Sequence, residues 1–297
     1  MRTRLIDFGK NVYSQWGEDG ILEKVFEEIG PGQICVEFGA WDGFHLSNTA
    51  NLWTHGWKGV LIEGSQERYR LLKKNTEGHD VAAICRMVTH SGPDTLEAIL
   101  RDQGLTDQVD LLSVDIDGDD YYIVESLKKL RPRVIVCEYN PRIPYFVDLR
   151  AEPGSRFGCS VAALMRLATD KGYTLVAITR TNCVFVRNAE VAKLAERYEV
   201  SVEQLAVWED VNFVLSDYDG DYAVVGTGTE TPQYSKPLPV SPHWVGVSEG
   251  NGGLHKGYGG AASSKGVASD QGTGRSVRVV GSGDGADERK AAKARAE

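Results

Sequence analysis

Two acidic residues end two strand-like runs near the start of the chain, and both could bind a ligand. In the first run, residues 34–43, Glu37 is followed by a turn that contains two glycines. The second run, residues 59–63, ends in Glu63. Glycine allows a sharp turn and a close approach of the backbone to a ligand. The order strand, glycine turn, helix, strand and acid predicts a nucleotide-type cofactor site, in which the second acid accepts from ribose hydroxyls.

The glycine turn departs from the dinucleotide fingerprint. That fingerprint is G-x-G-x-x-G, because a pyrophosphate must lie at the N-terminus of the following helix. Here the order is Glu37-x-Gly39-x-x-x-Gly43, and Asp42 lies inside the turn. Two carboxylates repel a pyrophosphate, but they suit a cationic ligand that has a ribose and no phosphate, such as S-adenosylmethionine. The alternative is a plain strand-to-helix turn with a solvated Glu37.

A second group of acids lies near the middle of the chain. Asp115 and Asp117 alternate with apolar residues, so that in a strand they would share a face at its carboxyl end. Glu138 ends the next strand-like run, and Asn140 follows it closely. These four side chains would converge where ligands bind in parallel sheets, and their oxygens suit Mg²⁺. The alternative is that the acids cap loops. A calcium loop is excluded because its twelfth position, counted from Asp115, is Ser126.

Five segments, taken in their order and spacing, resemble the FkbM-like family of S-adenosylmethionine-dependent methyltransferases over about residues 11–187. The resemblance implies a Rossmann-like, seven-stranded methyltransferase fold and transfer of a methyl group to oxygen, often on a sugar or another secondary metabolite. The segments are Tyr13-Ser14-Gln15-Trp16-Gly17-Glu18-Asp19, Val36-Glu37-Phe38-Gly39-Ala40, Gly59-Val60-Leu61-Ile62-Glu63, Leu112-Ser113-Val114-Asp115-Ile116-Asp117-Gly118 and Val136-Cys137-Glu138-Tyr139-Asn140.

The resemblance also implies roles for individual residues. Glu37, Gly39 and Gly43 would bind the methionine end of the cofactor. Glu63 would bind the ribose hydroxyls, and Asp115 would lie near the methyl group. The full set predicted to bind the cofactor is Gln15, Glu37, Gly39, Ala40, Gly43, Ser47, Glu63, Gly64 and Asp115. The predicted catalytic residues are Asp115, Asp117 and Glu138, and the magnesium ligands, by analogy with catechol-type methyltransferases, would be Asp115, Asp117, Glu138 and Asn140.

Helices and strands alternate along the chain and would position these residues. Apolar residues at helical spacing predict a first helix from Tyr13 to Gly30, on which Gln15 and Asp19 would form a lid over the cofactor. The alternative for Asp19 is a solvated side chain near the helix start. The alternation predicts a parallel, doubly wound α/β sheet, which a hairpin-like pair of strands extends with an antiparallel edge element.

Composition changes along the chain and predicts two regions. Residues 1–225 contain the predicted helices and strands and would form one methyltransferase domain. Residues 226–297 are rich in Gly and Ser and have few large apolar side chains, so that they are predicted to be largely disordered.

The overall composition limits the class of protein. The chain has 297 residues, of which 41% are hydrophobic and 25% charged, and no apolar run reaches membrane-spanning length. The N-terminus lacks the long apolar core of a secretion signal. Cys35, Cys137 and Cys183 lie in apolar runs without metal spacing, which predicts reduced thiols. Together these features favour the cytoplasm. The net charge of −9 argues against nucleic acid as the main partner.

These patterns predict an O-methyltransferase for a small hydroxylated acceptor, which uses S-adenosylmethionine and is assisted by Mg²⁺. One alternative is methylation of an amine or nucleobase, because residues 140–145 are faintly similar to the motif of amine-methylating enzymes. A nicotinamide oxidoreductase is disfavoured by Glu37 and the glycine pattern. A non-catalytic Rossmann-like binding module is disfavoured by the acids at successive strand ends. The sequence patterns give no indication of the oligomeric state.

Overall fold

The computed structural model describes residues 2–105, 108–206, 211–216 and 222–226. The chain divides into two units, Met1–Gly250 and Asn251–Glu297, and all described residues belong to the first. Of the segment predicted to be disordered, residues 226–297, only Gly226 is described, and the rest of that prediction lies outside the described residues.

Seven strands form one mixed sheet. They are β1 (Ile34–Phe38), β2 (Lys58–Glu63), β3 (Val81–Cys85), β4 (Leu111–Val114), β5 (Val134–Glu138), β6 (Tyr173–Ile178) and β7 (Asn182–Arg187). Their order is β3-β2-β1-β4-β5-β7-β6, and the neighbours from β3 to β5 are all parallel. Strand β7 is antiparallel to β5 and β6. This order confirms the predicted Rossmann-like α/β sheet of seven strands with an antiparallel element at its edge.

Helices cover both faces of the sheet. They are α1 (Glu18–Ile29), α2 (Ala50–Trp53), α3 (Gln66–Asn75), α4 (Leu96–Asp102), α5 (Asp120–Ser126), α6 (Val161–Asp170), α7 (Asn188–Ala195) and α8 (Val202–Leu205). Successive strand residues point to opposite faces. Leu112 thus belongs to the apolar core on the face covered by α4, α5 and α6, whereas Leu111 belongs to the core on the face covered by α1, α2, α3 and α7. Two further strands, β8 (Asn212–Ser216) and β9 (Tyr222–Gly226), form a separate antiparallel pair.

Strand order sets the place where a ligand can bind. The chain leaves β1 towards β2 on one side, and β4 occupies the other side of β1. In open α/β sheets, ligands bind beyond the carboxyl ends of the strands at such a reversal of order. Glu37, Glu63 and Glu138 all lie at this end of the sheet, which is where the sequence predicts the cofactor site.

Two predicted elements differ from the structure. Helix α1 begins at Glu18 and not at Tyr13, because Gly17 has a left-handed φ of +97° that a helix cannot continue through. Gln15 therefore lies in the segment before the helix. Strand β4 ends at Val114, so that Asp115 and Asp117 lie beyond the strand and do not share one of its faces.

The described residues bear on two features of the composition, the lack of long apolar runs and the cysteines. No described helix is both long and apolar enough to span a membrane. All five cysteines are free thiols, and Cys35, Cys137 and Cys183 are buried.

Candidate functional site

A cavity of about 830 Å³ opens at the carboxyl ends of β1, β2, β4 and β5. Small-molecule sites have volumes of roughly 300–1,000 Å³. Two residues predicted to bind ligands do not border this cavity: Gly43, where an added Cβ would lie 3.0 Å from Leu72 of α3, and Asn140, which borders a second cavity. The predicted residues that line the first cavity are Gln15, Glu37, Gly39, Ala40, Ser47, Glu63, Gly64, Asp115, Asp117 and Glu138.

Glu37 is buried and bonded to the segment that leads into α2. Its Oε2 accepts from Ser47 Oγ at 2.5 Å and from Thr49 Oγ1 at 2.7 Å, and its Oε1 accepts from Asn48 N at 2.9 Å. Burial raises the pKa of Glu37, and these hydrogen bonds oppose that rise. Because the side chain is 5% exposed, the alternative of a solvated Glu37 is wrong. The carboxylate holds the wall of the cavity in place, and the role of Glu37 and Ser47 in binding the cofactor stays a prediction.

Gly39 brings the turn after β1 into contact with the backbone of Asp115. Its φ is +74°, in the left-handed region that favours glycine. A Cβ at this position would lie 2.4 Å from the carbonyl oxygen of Asp115 and 3.2 Å from the Ile116 side chain. Glycine is therefore required both by the conformation and by the lack of space.

Glu63 is buried at the end of β2 and accepts from two backbone amides. Trp41 N donates to Oε2 at 2.9 Å, and Ser65 N donates to Oε1 at 2.7 Å. A carboxylate oxygen has two lone pairs, so that each oxygen can accept one further hydrogen bond. Glu63 borders the cavity, and this geometry leaves it able to accept from the hydroxyls of a ligand.

The acids that follow β4 form a tight turn. Asp120 accepts from Ile116 N at Oδ1 and from Gly118 N at Oδ2, both at 2.9 Å. Within this turn Asp117 has a left-handed φ of +59°, and its backbone N donates to Glu138 Oε2 at 3.2 Å. The turn thus brings Asp117 and Glu138 together as predicted, although by a backbone contact and not by a shared strand face.

Burial and mutual repulsion dominate the electrostatics of this cluster. Burial, followed by the charges of Asp120 and Asp117, raises the pKa of Asp115. Burial, followed by the charges of Asp115 and Asp120, raises the pKa of Glu138. Within the described residues no hydrogen bond reaches the carboxylate of Asp115. A cationic ligand would reduce the repulsion and favour the ionised form of each acid.

The predicted magnesium site is not supported. Among the described residues, no group of three or more His, Cys, Asp or Glu side chains is placed to hold a metal ion. The amide of Asn140 is also engaged, since its Oδ1 accepts from Arg142 N and its Nδ2 donates to Phe157 O, both at 2.9 Å. The described residues at this site therefore do not fit the ion.

Asp19 holds the segment that contains Gln15. Its Oδ2 accepts from the backbone amides of Val12, Tyr13 and Ser14, each at 2.8 Å. Asp19 is buried and does not border the cavity, so that the alternative of a solvated Asp19 is wrong. Gln15 does border the cavity. Asp19 thus positions the predicted lid instead of forming part of it.

One buried contact network was not predicted. Glu18 Oε1 accepts from Thr179 Oγ1 at 2.6 Å and from Asn182 Nδ2 at 3.0 Å, which joins the start of α1 to the turn between β6 and β7. Asn182 and its neighbour Thr181 border the cavity. No local pattern in the sequence signals this network, because Glu18 lies more than 160 positions before both of its partners.

No family model matches this chain, and neither does any curated protein. It is similar to the structure of the citrinin polyketide synthase CMeT domain, at 12% identity over 57% of this chain and 51% of that chain, with a TM-score of 0.37. It thus spans about half the length of that structure. A SAM-dependent methyltransferase from Aquifex aeolicus aligns at 14% identity over 55% of this chain and 86% of that one, with a TM-score of 0.34. An amino pentose methyltransferase from Micromonospora echinaspora aligns at 13% identity over 57% and 89%, with a TM-score of 0.36.

Likenesses at this level of identity and TM-score carry no argument about the reaction. The resemblance to the FkbM-like family therefore stays a prediction.

Proposed function

We propose that this chain is an S-adenosylmethionine-dependent methyltransferase that transfers the methyl group to a hydroxyl of a small molecule. The proposal rests on one observation above all. Acids from the ends of four neighbouring strands border one cavity, and among them Asp115 accepts no hydrogen bond from the described residues. A partly buried carboxylate without a partner is costly, and a cation with N–H donors would satisfy it.

The charge and size of the cavity support this ligand. Within the described residues, the wall has twice as many carboxylates as arginines, and Arg86 is paired with Asp94 and Asp102. Such a wall attracts the ammonium and sulfonium groups of S-adenosylmethionine and repels a pyrophosphate. The six carboxylates are Glu37, Glu63, Asp115, Asp117, Asp119 and Glu138, and the three arginines are Arg68, Arg86 and Arg156.

Three residues would bind the ligand. Asp115 would accept from its ammonium group, and Glu63 would accept from its ribose hydroxyls with the lone pairs that the Trp41 and Ser65 amides leave unused. Gly39 lets the backbone approach the ligand closely. When bound, S-adenosylmethionine supplies a methyl group on a sulfonium, which is an already activated leaving group.

The chain must then align the acceptor and remove the proton of its hydroxyl. Glu138 borders the cavity, and Asp117 N holds one of its two carboxylate oxygens in place. Burial and the neighbouring Asp115 raise the pKa of Glu138, so that its ionised form is a stronger base than a solvated carboxylate. The cationic cofactor, once bound beside these acids, would favour the ionised form of Glu138, and in that form we assign it as the proton acceptor.

One observation favours oxygen over nitrogen as the methyl acceptor. In the amine-methylation alternative, Asn140 would accept a hydrogen bond from the substrate amine. Its amide oxygen already accepts from Arg142 N, its amide nitrogen donates to Phe157 O, and Asn140 does not border the cofactor cavity. Methylation of an amine or nucleobase is therefore the second candidate.

Calorimetry tests the cofactor. We expect S-adenosylmethionine to bind and NAD to give no signal, and we expect Asp115→Asn to weaken binding at least about tenfold because a charge-assisted hydrogen bond is lost. The matched control is Asp170→Asn, which changes an exposed acid at the end of α6 and should leave binding unchanged. Binding of NAD without binding of S-adenosylmethionine would overturn the proposal.

Release of S-adenosylhomocysteine with a panel of hydroxylated and amine acceptors tests the reaction. We expect turnover with hydroxyl acceptors, and we expect Glu138→Gln to lower kcat at least about 100-fold while cofactor affinity is kept. Turnover with amines alone would favour the second candidate. Cofactor binding without turnover on either class would favour the non-catalytic module.

A further inference from the structure

Asn182 is the first residue of β7, and it lies directly opposite Glu138 of β5 in the antiparallel ladder. Paired residues on neighbouring antiparallel strands point to the same face, with their Cβ atoms roughly 4.5–5.5 Å apart. Both residues border the cofactor cavity. The proposed proton acceptor therefore has a neutral amide as its cross-strand neighbour on the cavity wall.

Glu18, at the start of α1, fixes the orientation of this amide. Asn182 Nδ2 donates to Glu18 Oε1 at 3.0 Å and to Thr181 Oγ1 at 3.4 Å. Glu18 is fully buried, and its Oε1 also accepts from Thr179 Oγ1. A reversed amide would place its oxygen against the carboxylate oxygen, and two acceptors repel each other. The amide nitrogen of Asn182 is therefore held at Glu18, and the amide oxygen is directed away from it.

The amide oxygen of Asn182 accepts no hydrogen bond from any residue that the structure describes. Asn182 is 3% exposed, and a buried polar atom without a partner is costly. Four other buried side-chain atoms of the described residues lack a partner, but none of their residues borders the cofactor cavity. This oxygen is therefore the part of the Asn182 side chain that is left for a ligand in that cavity.

Glu138 also retains a free oxygen on the same wall. Asp117 N donates to its Oε2, whereas no donor for its Oε1 is found in the described part of the chain. Two neighbouring acceptors, one charged and one neutral, thus border the cavity from the facing ends of β5 and β7. A ligand with two neighbouring hydroxyl donors would satisfy both of them.

We propose that Asn182 is a specificity-determining residue, that its amide oxygen accepts a hydrogen bond from a second hydroxyl of the methyl acceptor, and that this acceptor is a vicinal diol. Glu138 takes the proton of one hydroxyl, and the neighbouring hydroxyl keeps its proton and donates a hydrogen bond to Asn182. This inference rests on the proposed function for the role of Glu138. The binding of a diol does not depend on methyl transfer, so that the two can be tested separately.

Calorimetry on the full-length protein, with and without S-adenosylhomocysteine, tests this assignment with three probes of similar size. They are trans-1,2-cyclohexanediol, 2-hydroxycyclohexanone, in which a carbonyl that cannot donate replaces one hydroxyl, and cyclohexanol, which has one hydroxyl only. We expect the wild type to bind the diol at least about tenfold more tightly than either other probe. The reason is that a site built for a hydroxyl rejects ligands that leave its polar group unpaired.

A variant and a matched control locate this preference at Asn182. Asn182→Leu removes the amide, and it should bind the three probes with similar affinity. Asn188→Leu makes the same change at an exposed position just after the other end of β7, and it should keep the preference of the wild type.

Glu18→Gln tests the orientation of the amide without changing Asn182 itself. Trp16 N donates to Glu18 Oε2 at 2.8 Å, so that the amide oxygen of the new side chain takes this place and its nitrogen replaces Oε1. The Asn182 amide then reverses and presents its nitrogen to the cavity. We expect the diol to lose its advantage over the hydroxyketone, while both still bind more tightly than cyclohexanol. A merely structural role for Glu18 would weaken the binding of all three probes alike.

Each outcome decides the inference. A wild type that binds the diol no more tightly than the hydroxyketone, or an Asn182→Leu variant that keeps the preference, would overturn it. If circular dichroism shows that Asn182→Leu is unfolded, Glu18→Gln takes its place, and an unchanged preference in that variant would overturn the inference. Failure of S-adenosylhomocysteine to bind, with the preference for the diol intact, would count against the proposed function alone.

Discussion

Gly39→Ala tests the contact on which the cofactor site depends. An alanine at this position must adopt a φ of +74° and places its Cβ 2.4 Å from the carbonyl oxygen of Asp115. The left-handed conformation costs about 1–2 kcal/mol for a residue with a Cβ. Overpacking costs a further ~1–3 kcal/mol, because backbone on both sides must move. We therefore expect the free energy of unfolding to fall by about 2–5 kcal/mol.

The chain offers a matched control in Gly78→Ala. Gly78 has a φ of +86°, close to that of Gly39, but nothing lies within 4 Å of its Cβ position. This variant has the cost of conformation without the clash, so that it should lose only about 1–2 kcal/mol. Urea denaturation of the two variants separates the two terms.

Binding of S-adenosylmethionine provides the second measurement. In Gly39→Ala the carbonyl of Asp115 must move away from the new Cβ, which displaces the carboxylate that we assign to the ammonium group. We expect affinity to fall at least about tenfold, equivalent to ~1.4 kcal/mol, and to be unchanged in Gly78→Ala. Equal unfolding free energies and equal affinities for the two variants would refute the reasoning.

Three further predictions address the acid cluster, an ion-pair network and the metal. The pKa of Glu138 is raised above its usual 4.5, so that the folded state holds a proton that the unfolded state loses, and the free energy of unfolding should fall as the pH rises from about 4.5. Urea denaturation of Glu138→Gln between pH 4.5 and 8 should show a shallower fall than that of the wild type. Equal slopes of the unfolding free energy against pH would contradict this. Arg133→Gln should lower the free energy of unfolding by about 1.5–3 kcal/mol, because Arg133 donates hydrogen bonds to Glu190, Asp110 and three backbone carbonyls. Urea denaturation should show this loss, and calorimetry should show an unchanged affinity for the cofactor. Arg133 holds the pKa of Glu190 at about 2, so that this contribution is present above pH 4.5 in the wild type and is lost as the pH falls towards 2. EDTA should leave turnover unchanged, since no group of three or more His, Cys, Asp or Glu side chains among the described residues is placed to hold a metal ion. Loss of turnover that Mg²⁺ restores would contradict this.

The sheet and the end of it that holds the site could be predicted from the sequence. Strand-like runs that each end in an acid are separated by helical segments, and parallel strands place their carboxyl ends on one edge. This is why Glu37, Glu63 and Glu138 lie together. The antiparallel pair at the edge could also be predicted, because its two runs are separated by a short turn.

The turn after β4 could not be predicted by the same rule. The order Val, Asp, Ile, Asp over residues 114–117 has the two-residue period of a strand. The structure ends the strand at Val114, because Asp120 accepts from the amides of Ile116 and Gly118 and closes a turn. A period of two does not distinguish a strand from a turn whose amides are bonded by a later side chain.

The prediction that α1 begins at Tyr13 was wrong for a related reason. The apolar residues that signal this helix begin at Ile21, and the segment before it has its own hydrogen bonds. Asp19 accepts from three amides of that segment, and Gly17 adopts a left-handed φ. Acids near a helix start are usually exposed, so that nothing in the residue types indicates that Asp19 is buried.

The acids around the cofactor cavity are of one chemical type but have different tasks, and their partners distinguish them. Glu37 and Asp120 are engaged by hydroxyls and amides of neighbouring segments, and these contacts build the walls. Glu63 accepts two amides and retains lone pairs, whereas Asp115 accepts no hydrogen bond from the described residues. Glu37 holds the segment before α2 and Asp120 closes the turn after β4, while the turn at Gly39 lies against the backbone of Asp115. An acid-rich cavity of this kind can therefore hold a cation at one defined position, because the carboxylate of Asp115 is partly buried and accepts no hydrogen bond from the described residues.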